Sequence, residues 1–279
     1  MKKLIFNLWI CAAFIFISGF GSGERFFAPN SELWERWEAH DEQNQKAIDH
    51  TLWDDFLKKN LILTDGYPGR INYEKTSTAD RLQLNSYLQA SYKIKINSYN
   101  RAEQFAFWVN LYNAFTVNLI LDNYPVKSIK DISPSFFGGG PWKAKLLNVD
   151  AQEISLNDIE HRILRPIWQD PRIHYAVNCA ALGCPSLQAR ALSVTNRDDY
   201  LNTGARNFIN SPQGVTLTED VVSISKIYDW FIEDFGGTEE AVLIHLSTYA
   251  KPKLAAKLKS INKINSVFYD WNLNGNQID

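Results

Sequence analysis

The apolar positions of this chain change period several times, and each change marks an element. From Ala102 to about Asn123, Phe105, Trp108, Val109, Tyr112, Thr116 and Leu119 recur at i, i+3 and i+4, the spacing that lines one face of a 3.6-residue helix. Tyr124-Pro125 stops that helix, because the residue before proline is pushed out of the α region. Thr78 to Tyr92 and Arg197 to Asn210 predict two further helices. Ser31 to Leu61 predicts one or two amphipathic helices on Leu33, Trp34, Trp37, Ile48, Trp53, Phe56 and Leu57. Ser155 precedes a helix to about Leu164, with Asp158 three positions on, close to a capping box, and Pro166 limiting its end.

Elsewhere the period is two. Arg70 to Tyr73 is a short strand, and Leu146 to Val149 with Glu153 to Ser155 flank Asp150-Ala151-Gln152 as a hairpin. Val215 to Ile224 is a second hairpin, and Val267 to Leu273 alternates as a closing strand. Ile173, Tyr175 and Val177 alternate with His174, Ala176 and Asn178, which predicts a strand with His174 and Asn178 on one face. Cys179 to Pro185 leaves it as a tight loop, and Ser225 caps a helix through Trp230. Asp65-Gly66-Tyr67-Pro68-Gly69 and Gly138-Gly139-Gly140-Pro141 are turns. The second is no phosphate loop, since no Gly-Lys-Ser/Thr follows it. Helices first and hairpins later give an α+β single domain. Its N-terminal helices and long central helix pack on a mostly antiparallel sheet.

The first residues read as an address. Lys2 and Lys3 precede an apolar run, Leu4 to Ile17, broken only by Asn7, and Gly19-Phe20-Gly21 or Gly21-Ser22-Gly23 offers a cleavage site. That is the pattern of a signal peptide over 1–23, leaving 24–279 as one globular domain. The run falls short of the ~20 apolar residues that span a bilayer. The expectation is an exported protein, periplasmic or extracellular, with no stable membrane insertion after cleavage. Twenty-nine basic residues stand against thirty-one acidic ones, with no basic face. Nucleic acid is therefore discounted as a partner.

Removing the leader leaves Cys179 and Cys184, and in an oxidising compartment so close a pair is a disulfide candidate. The other reading is nucleophilic. A reactive cysteine needs a base and a group that orients the base. Cys184, freer to turn back than Cys179, would be the nucleophile and His174 the base, with Asn178 or Glu160 orienting it. Glu160 and His161 are adjacent on a helix and should not share a face. Ligation of a metal by His161, His174, Cys179 and Cys184 has unfamiliar spacing, so no metal and no cofactor is expected. Asn110 and Asn113, one turn apart on an apolar helix, either face water or reach a buried polar partner, where they could offer amide donors to an oxyanion. Lys226 and Asp229, at i and i+3 amid aromatics, are a surface ion pair or a substrate contact. His40, His50 and His245 sit alone on helical stretches and read as surface or boundary residues.

Several separated motifs occur in an order that resembles one family. They are Phe107-Trp108-Val109-Asn110-Leu111-Tyr112-Asn113-Ala114, Tyr124-Pro125-Val126-Lys127-Ser128-Ile129, and Leu156-Asn157-Asp158-Ile159-Glu160-His161 with Ile163-Leu164-Arg165-Pro166. Asp170-Pro171-Arg172-Ile173-His174-Tyr175-Ala176-Val177-Asn178-Cys179 comes next, then Gly183-Cys184-Pro185 and Ser225-Lys226-Ile227-Tyr228-Asp229-Trp230. Together they resemble the domain of unknown function family 547, with the best match over about 53–235. The resemblance implies an exported bacterial protein. It departs at Gly183, where the family usually carries Ser or a similar small residue. The functional expectation is a cysteine-dependent hydrolase or acyl/thiol transferase acting on a peptide-like or thiol substrate, with a small-molecule or peptide-like ligand as its partner. The alternative is a non-catalytic binding protein with a structural Cys179–Cys184 disulfide.

Overall fold

One helix is apolar on every side, and the rest of the chain is arranged to cover it. In the computed structural model, which describes residues 19–21, 23–63, 69–133, 140–218 and 221–275, α3 runs Arg101–Asn123 with every residue from Gln104 to Val117 buried. A helix apolar all round can only be a core helix. Before it, α1 (Thr51–Asn60) leads through the short strands β1 (Leu61–Ile62) and β2 (Arg70–Ile71) into α2 (Thr78–Tyr92). Ser77 caps α2 by accepting from the Asp80 amide at 3.1 Å, and Asn100 caps α3 by accepting from Glu103 at 2.9 Å.

After α3 comes the antiparallel hairpin β3 (Leu147–Val149) and β4 (Gln152–Ile154), in register Leu147 to Ile154. Asp150 and Ala151 both take positive φ, as a two-residue hairpin turn demands. The next helical segment begins as α4 (Leu156–Asp158), widens to a π turn over Ile159–Leu164, and ends as α5 (Arg165–Trp168). Ser155 and Asp158 form the capping box read from the sequence. Further on, α6 (Arg197–Ile209) precedes a three-stranded sheet. There β5 (Val215–Thr218) pairs antiparallel with β6 (Val221–Ser225), and β6 pairs parallel with β7 (Ser266–Phe268). Between β6 and β7 lie α7 (Ile227–Trp230), α8 (Glu239–Tyr249) and α9 (Pro252–Ser260). The fold is α+β, and among the described residues the strands are divided among three small sheets.

Two apolar clusters result. One surrounds α3, and the other joins the three-stranded sheet to α6, α7, α8 and α9. The segment from Ile173 to Cys184 runs along their seam. Ile173, Ala176, Val177 and Ala180 belong to the first cluster, and Tyr175, Ala181 and Cys184 to the second.

Two expected elements differ. Pro171–Tyr175 is a 3-10 helix, not the start of a strand. Asp170 caps it at the Arg172 amide, 2.9 Å away, and Pro171 occupies its first turn. Ile173 to Asn178 is buried at every position, so the alternation there carried no distinction between two faces. Between Ser31 and Leu61 only a 3-10 turn (Glu35–Trp37) and α1 form. In the gap, the side chains of Asp41 and Asn44 accept from the Gln43 and Lys46 amides, and Asn44 and Asn100 reach across to backbone carbonyls. Such side-chain bonds compete with helix formation. Most of the expected leader lies outside the described residues, as do the two expected turns except at Gly69, Gly140 and Pro141.

Asn113 is the clearest test of how the seam is held. Its amide donates to the Ala176 carbonyl at 2.7 Å and accepts from the Asn178 amide at 2.8 Å, all buried. Asn113→Ala strands both backbone groups and should cost about 2–4 kcal/mol. A urea midpoint unchanged from the parent chain would show that the seam does not depend on this amide.

Candidate functional site

A proline sets the geometry of one wall. Pro166 has no N–H to give the Arg162 carbonyl, and the Arg165 amide bonds back to Glu160 instead, the wider step of a π turn. The freed His161 and Arg162 carbonyls accept from Glu32 at 2.9 Å and Trp34 at 3.0 Å. The N-terminal segment is thereby docked across the helix. On the wider turn Glu160 and His161 both face one cavity of about 900 Å³, contrary to the expectation that neighbours on a helix point apart.

The same cavity is lined by His174, Cys179, Cys184, Tyr112 and Tyr269, with Trp142, Trp230, Phe231 and Trp271 as aromatic walls. Five of the six candidate catalytic residues are thus brought together. Asn178 is close in sequence but serves the loop. Its amide donates to the Pro185 carbonyl at 2.6 Å and accepts from Ala180 at 2.8 Å and from Asn274 at 3.1 Å. Asn110 is likewise occupied, donating to the Leu192 carbonyl at 2.7 Å and accepting from its amide at 3.0 Å. Neither Asn110 nor Asn113 lines the cavity. Of the two alternatives left open for them, the buried partner holds, and that partner is backbone.

Charge beside the cavity is organised around Arg165 and Asp234, which bond to its lining residues His161 and His174. Arg165 grips Asp234 with Nε at 2.5 Å and Nη2 at 3.1 Å, and reaches the Pro29 carbonyl at 2.8 Å and His161 Nδ1 at 3.0 Å. Asp234 also meets His174 Nε2 at 2.6 Å. Burial would raise the Asp234 carboxyl, but the hydrogen bonds from His174 and Arg165 outweigh it and hold it well below the usual carboxylate range. His174 stacks on Phe231, ring centres 4.5 Å apart, and its Nδ1 stands 3.8 Å from Glu160 Oε1. The other Glu160 oxygen accepts from the Tyr112 hydroxyl at 3.0 Å.

His161 is pushed down to about 4 by burial, with Glu160 opposing the shift. Because Arg165 can only donate, neutral His161 carries its proton on Nε2, 4.0 Å from Glu160 Oε2. Tyr112 is pushed well up by burial and then by Glu160, and Tyr269 is pushed up first by burial. Both remain hydroxyl donors at neutral pH.

The sulfurs of Cys179 and Cys184 are bonded, 2.17 Å apart. Cys184 Sγ also accepts from the Cys179 amide at 3.1 Å, and the Tyr269 hydroxyl lies 3.0 Å from it and 3.1 Å from Cys179 Sγ. The loop between them is pinned by Leu182 to the Asn272 carbonyl and Gly183 to the Asp270 carbonyl, both at 2.8 Å. A Cβ on Gly183 would lie 2.8 Å from the Asp270 nitrogen, so the tight approach there favours glycine.

Lys226 and Asp229 do not form a surface pair and do not line the cavity. Both are buried and turn to the N-terminal segment, Lys226 to Glu24 at 2.7 Å and Asp229 to Arg25 at 2.5 Å. Phe27, Ala28 and Pro29 of that segment form another part of the cavity wall. Among the described residues no group of three or more His, Cys, Asp or Glu is placed to hold a metal ion. Sequence reasoning missed Asp234, Arg165 and Tyr269. Arg165 and Tyr269 stood inside quoted or alternating segments, whereas Asp234 gave no local signal.

Residues 96–209 match a family described as protein of unknown function, DUF547. No curated protein and no solved structure matches the chain.

Stability depends on pH in two windows, set by buried imidazoles inside and outside the cluster and by Asp234. His161 and His50 are each pushed down to about 4 by burial, against an unfolded value near ~6.5. Between those values the unfolded chain binds protons the fold refuses, so stability falls as pH drops from about 6.5 toward 4. Asp234 adds stability above its unfolded value of about 3.9 that is lost on further acidification. Urea midpoints from pH 8 to 3 should show both declines, and His161→Gln should flatten the upper one. A parent midpoint constant between pH 7 and 4.5 would contradict the buried neutral imidazoles.

Proposed function

From the premise that residues 96–209 of this chain belong to the DUF547 family, we propose that the protein is an exported thiol transferase whose reactive group is the Cys179–Cys184 bridge, acting on a small thiol or peptide-like substrate. The supporting observation is that both cysteines line the cavity, with one tyrosine hydroxyl on both sulfurs, alongside Glu160, His161 and His174.

The two sulfurs are not equivalent. Cys184 is 5% exposed and receives the Cys179 amide as well as Tyr269, while Cys179 is half-buried. The sulfur better supplied with donors is the better leaving thiolate. An incoming thiol would lose its proton to the Glu160–His174 pair and bond to Cys179 Sγ. The S–S bond would break, its electron pair passing to Cys184. A second thiol would then attack the mixed disulfide and release the substrate disulfide. Two substrate thiols are oxidised and the bridge is reduced, and an external disulfide run through the same steps in reverse restores it. Acyl transfer by Cys184 would first need the bridge opened by a dithiol, because a disulfide sulfur is not a nucleophile toward carbonyl carbon.

One observation favours the second reading, a binding protein with a structural bridge: the loop is pinned at Asn178, Leu182 and Gly183. Exchange separates the two. With cysteamine as the thiol and bis(2-hydroxyethyl) disulfide as the external disulfide, the oxidised parent should turn over. Cys184→Ser, given that disulfide alone, should accumulate a mixed disulfide at Cys179 by mass spectrometry, with one equivalent of 2-mercaptoethanol released. Tyr269→Phe should slow exchange roughly tenfold or more. A bridge that resists millimolar thiol in the native protein would support the structural role. In that case replacing both cysteines should simply cost about 2–4 kcal/mol.

A further inference from the structure

The cavity is electrically polarised. At its floor Glu160 is buried, with Oε2 held by Tyr112 and Oε1 making no hydrogen bond among the described residues. Of the two imidazoles beside it, His161 is neutral at physiological pH, its value pushed down to about 4 by burial, and His174 gives its Nε2 to Asp234 and stands 3.8 Å from Oε1, beyond hydrogen-bond reach. Two exposed lysines, Lys130 and Lys143, line the same cavity, and neither has a carboxylate partner among the described residues. Lys130 rests over the Trp271 ring at 4.8 Å. The other lining carboxylate, Glu24, is already paired with Lys226. The indoles of Trp142, Trp230 and Trp271 line it too, with Trp271 5.6 Å from Trp142 and 5.8 Å from Trp230 between ring centres.

From this arrangement we propose that the natural ligand is a zwitterion of the amino-acid or short-peptide class, bound ammonium inward at Glu160 and carboxylate outward at Lys130 and Lys143. This deepens the substrate assignment above and rests on its reading of the cavity as the substrate site. The buried carboxylate supplies a strong, desolvated acceptor that an ammonium satisfies with a charge-assisted hydrogen bond. Aromatic faces favour the same cation. The lysines, being exposed, contribute less per contact but orient the ligand and steer it to the mouth. A volume of about 900 Å³ is near the upper end of small-molecule sites, enough for two or three residues. A simple anion would meet Glu160 as a like charge, and a simple cation would meet the lysines.

The test uses a peptide without sulfur, so that it stands or falls apart from thiol exchange. Alanyl-alanine, its N-acetyl derivative and its C-terminal amide are titrated against the full chain, reading tryptophan fluorescence with calorimetry as a check. N-acetylation should weaken binding at least tenfold and amidation severalfold. Glu160→Gln should abolish the penalty for acetylation, and Lys130→Ala with Lys143→Ala the penalty for amidation. The double lysine variant changes only exposed side chains, so it remains informative if Glu160→Gln fails to fold. Equal affinity for all three peptides, no binding of the free dipeptide, or tighter binding of the acetylated one would overturn the proposal. If cysteamine exchanges while the dipeptides do not discriminate, the zwitterion assignment falls and the thiol chemistry stands. The opposite pattern leaves a peptide-binding cavity with an inert bridge.

Discussion

Asp234 carries its charge into a partly dry wall, and only its two partners make that tolerable. Removing a carboxylate from water costs several kcal/mol, and the gain from pairing offsets this only when the geometry is good. Here the guanidinium fork of Arg165 and the Nε2 of His174 supply it, at 2.5, 3.1 and 2.6 Å. The three residues come from α5, the 3-10 turn Pro171–Tyr175 and the 3-10 turn Ile232–Phe235, which ends at Gly236 with φ of 99°. A single half-buried charge therefore fixes three backbone segments against one another. It also leaves Arg165 with spare donors for His161 and Pro29. The imidazoles, the floor carboxylate and part of the cover over the cavity all take their places from that pairing.

The second constraint is the scarcity of backbone partners along the seam. Ile173 to Asn178 belongs to no sheet, yet its polar backbone is buried and must be satisfied. Side-chain amides stand in for a neighbouring strand. Asn113 serves Ala176 and Asn178, and Asn178 itself serves Ala180 and Pro185. Asn110 does the same for Leu192. An asparagine side chain carries the donor and acceptor of a peptide group, which is why this residue type appears on an otherwise apolar helix. The bridge then closes a loop whose two ends are already held, so its sulfurs are kept at the cavity wall.

Elements whose period matched their burial were legible in the sequence. α2 runs Thr78–Tyr92 as expected, α6 and the β5–β6 hairpin fall within a residue of their predicted bounds, and α3 differs only at its first residue. The final alternating run is a strand only over Ser266–Phe268, with Leu273 in an isolated bridge to Ala181. The site was legible in its residue types but not in its pairings. Glu160, His161, His174 and both cysteines share one cavity, but the partner of His174 is Asp234, sixty positions away, and no local pattern points to it. Solvent-face reasoning misplaced Lys226 and Asp229 because the segment that buries them lies some two hundred residues earlier.

That segment is held by more than attraction. Glu24 pairs with Lys226 and Arg25 with Asp229, so adjacent residues of opposite sign meet a pair of opposite sign one helical turn apart. A slip of one residue would bring Glu24 to Asp229 or Arg25 to Lys226, and a buried like-charge contact is strongly unfavourable. The crossed pairing thus specifies register, a use of buried ions better attested than net stabilisation. Register in turn places the neighbouring residues. With Glu24 and Arg25 fixed and the Pro29 carbonyl tied to Arg165, Ala28 and Pro29 are held beside the cavity, while Phe27 borders it and stays 90% exposed. What the segment adds to the cavity is thus held by charge and backbone contacts rather than by packing, since its 3-10 turn buries no residue of its own.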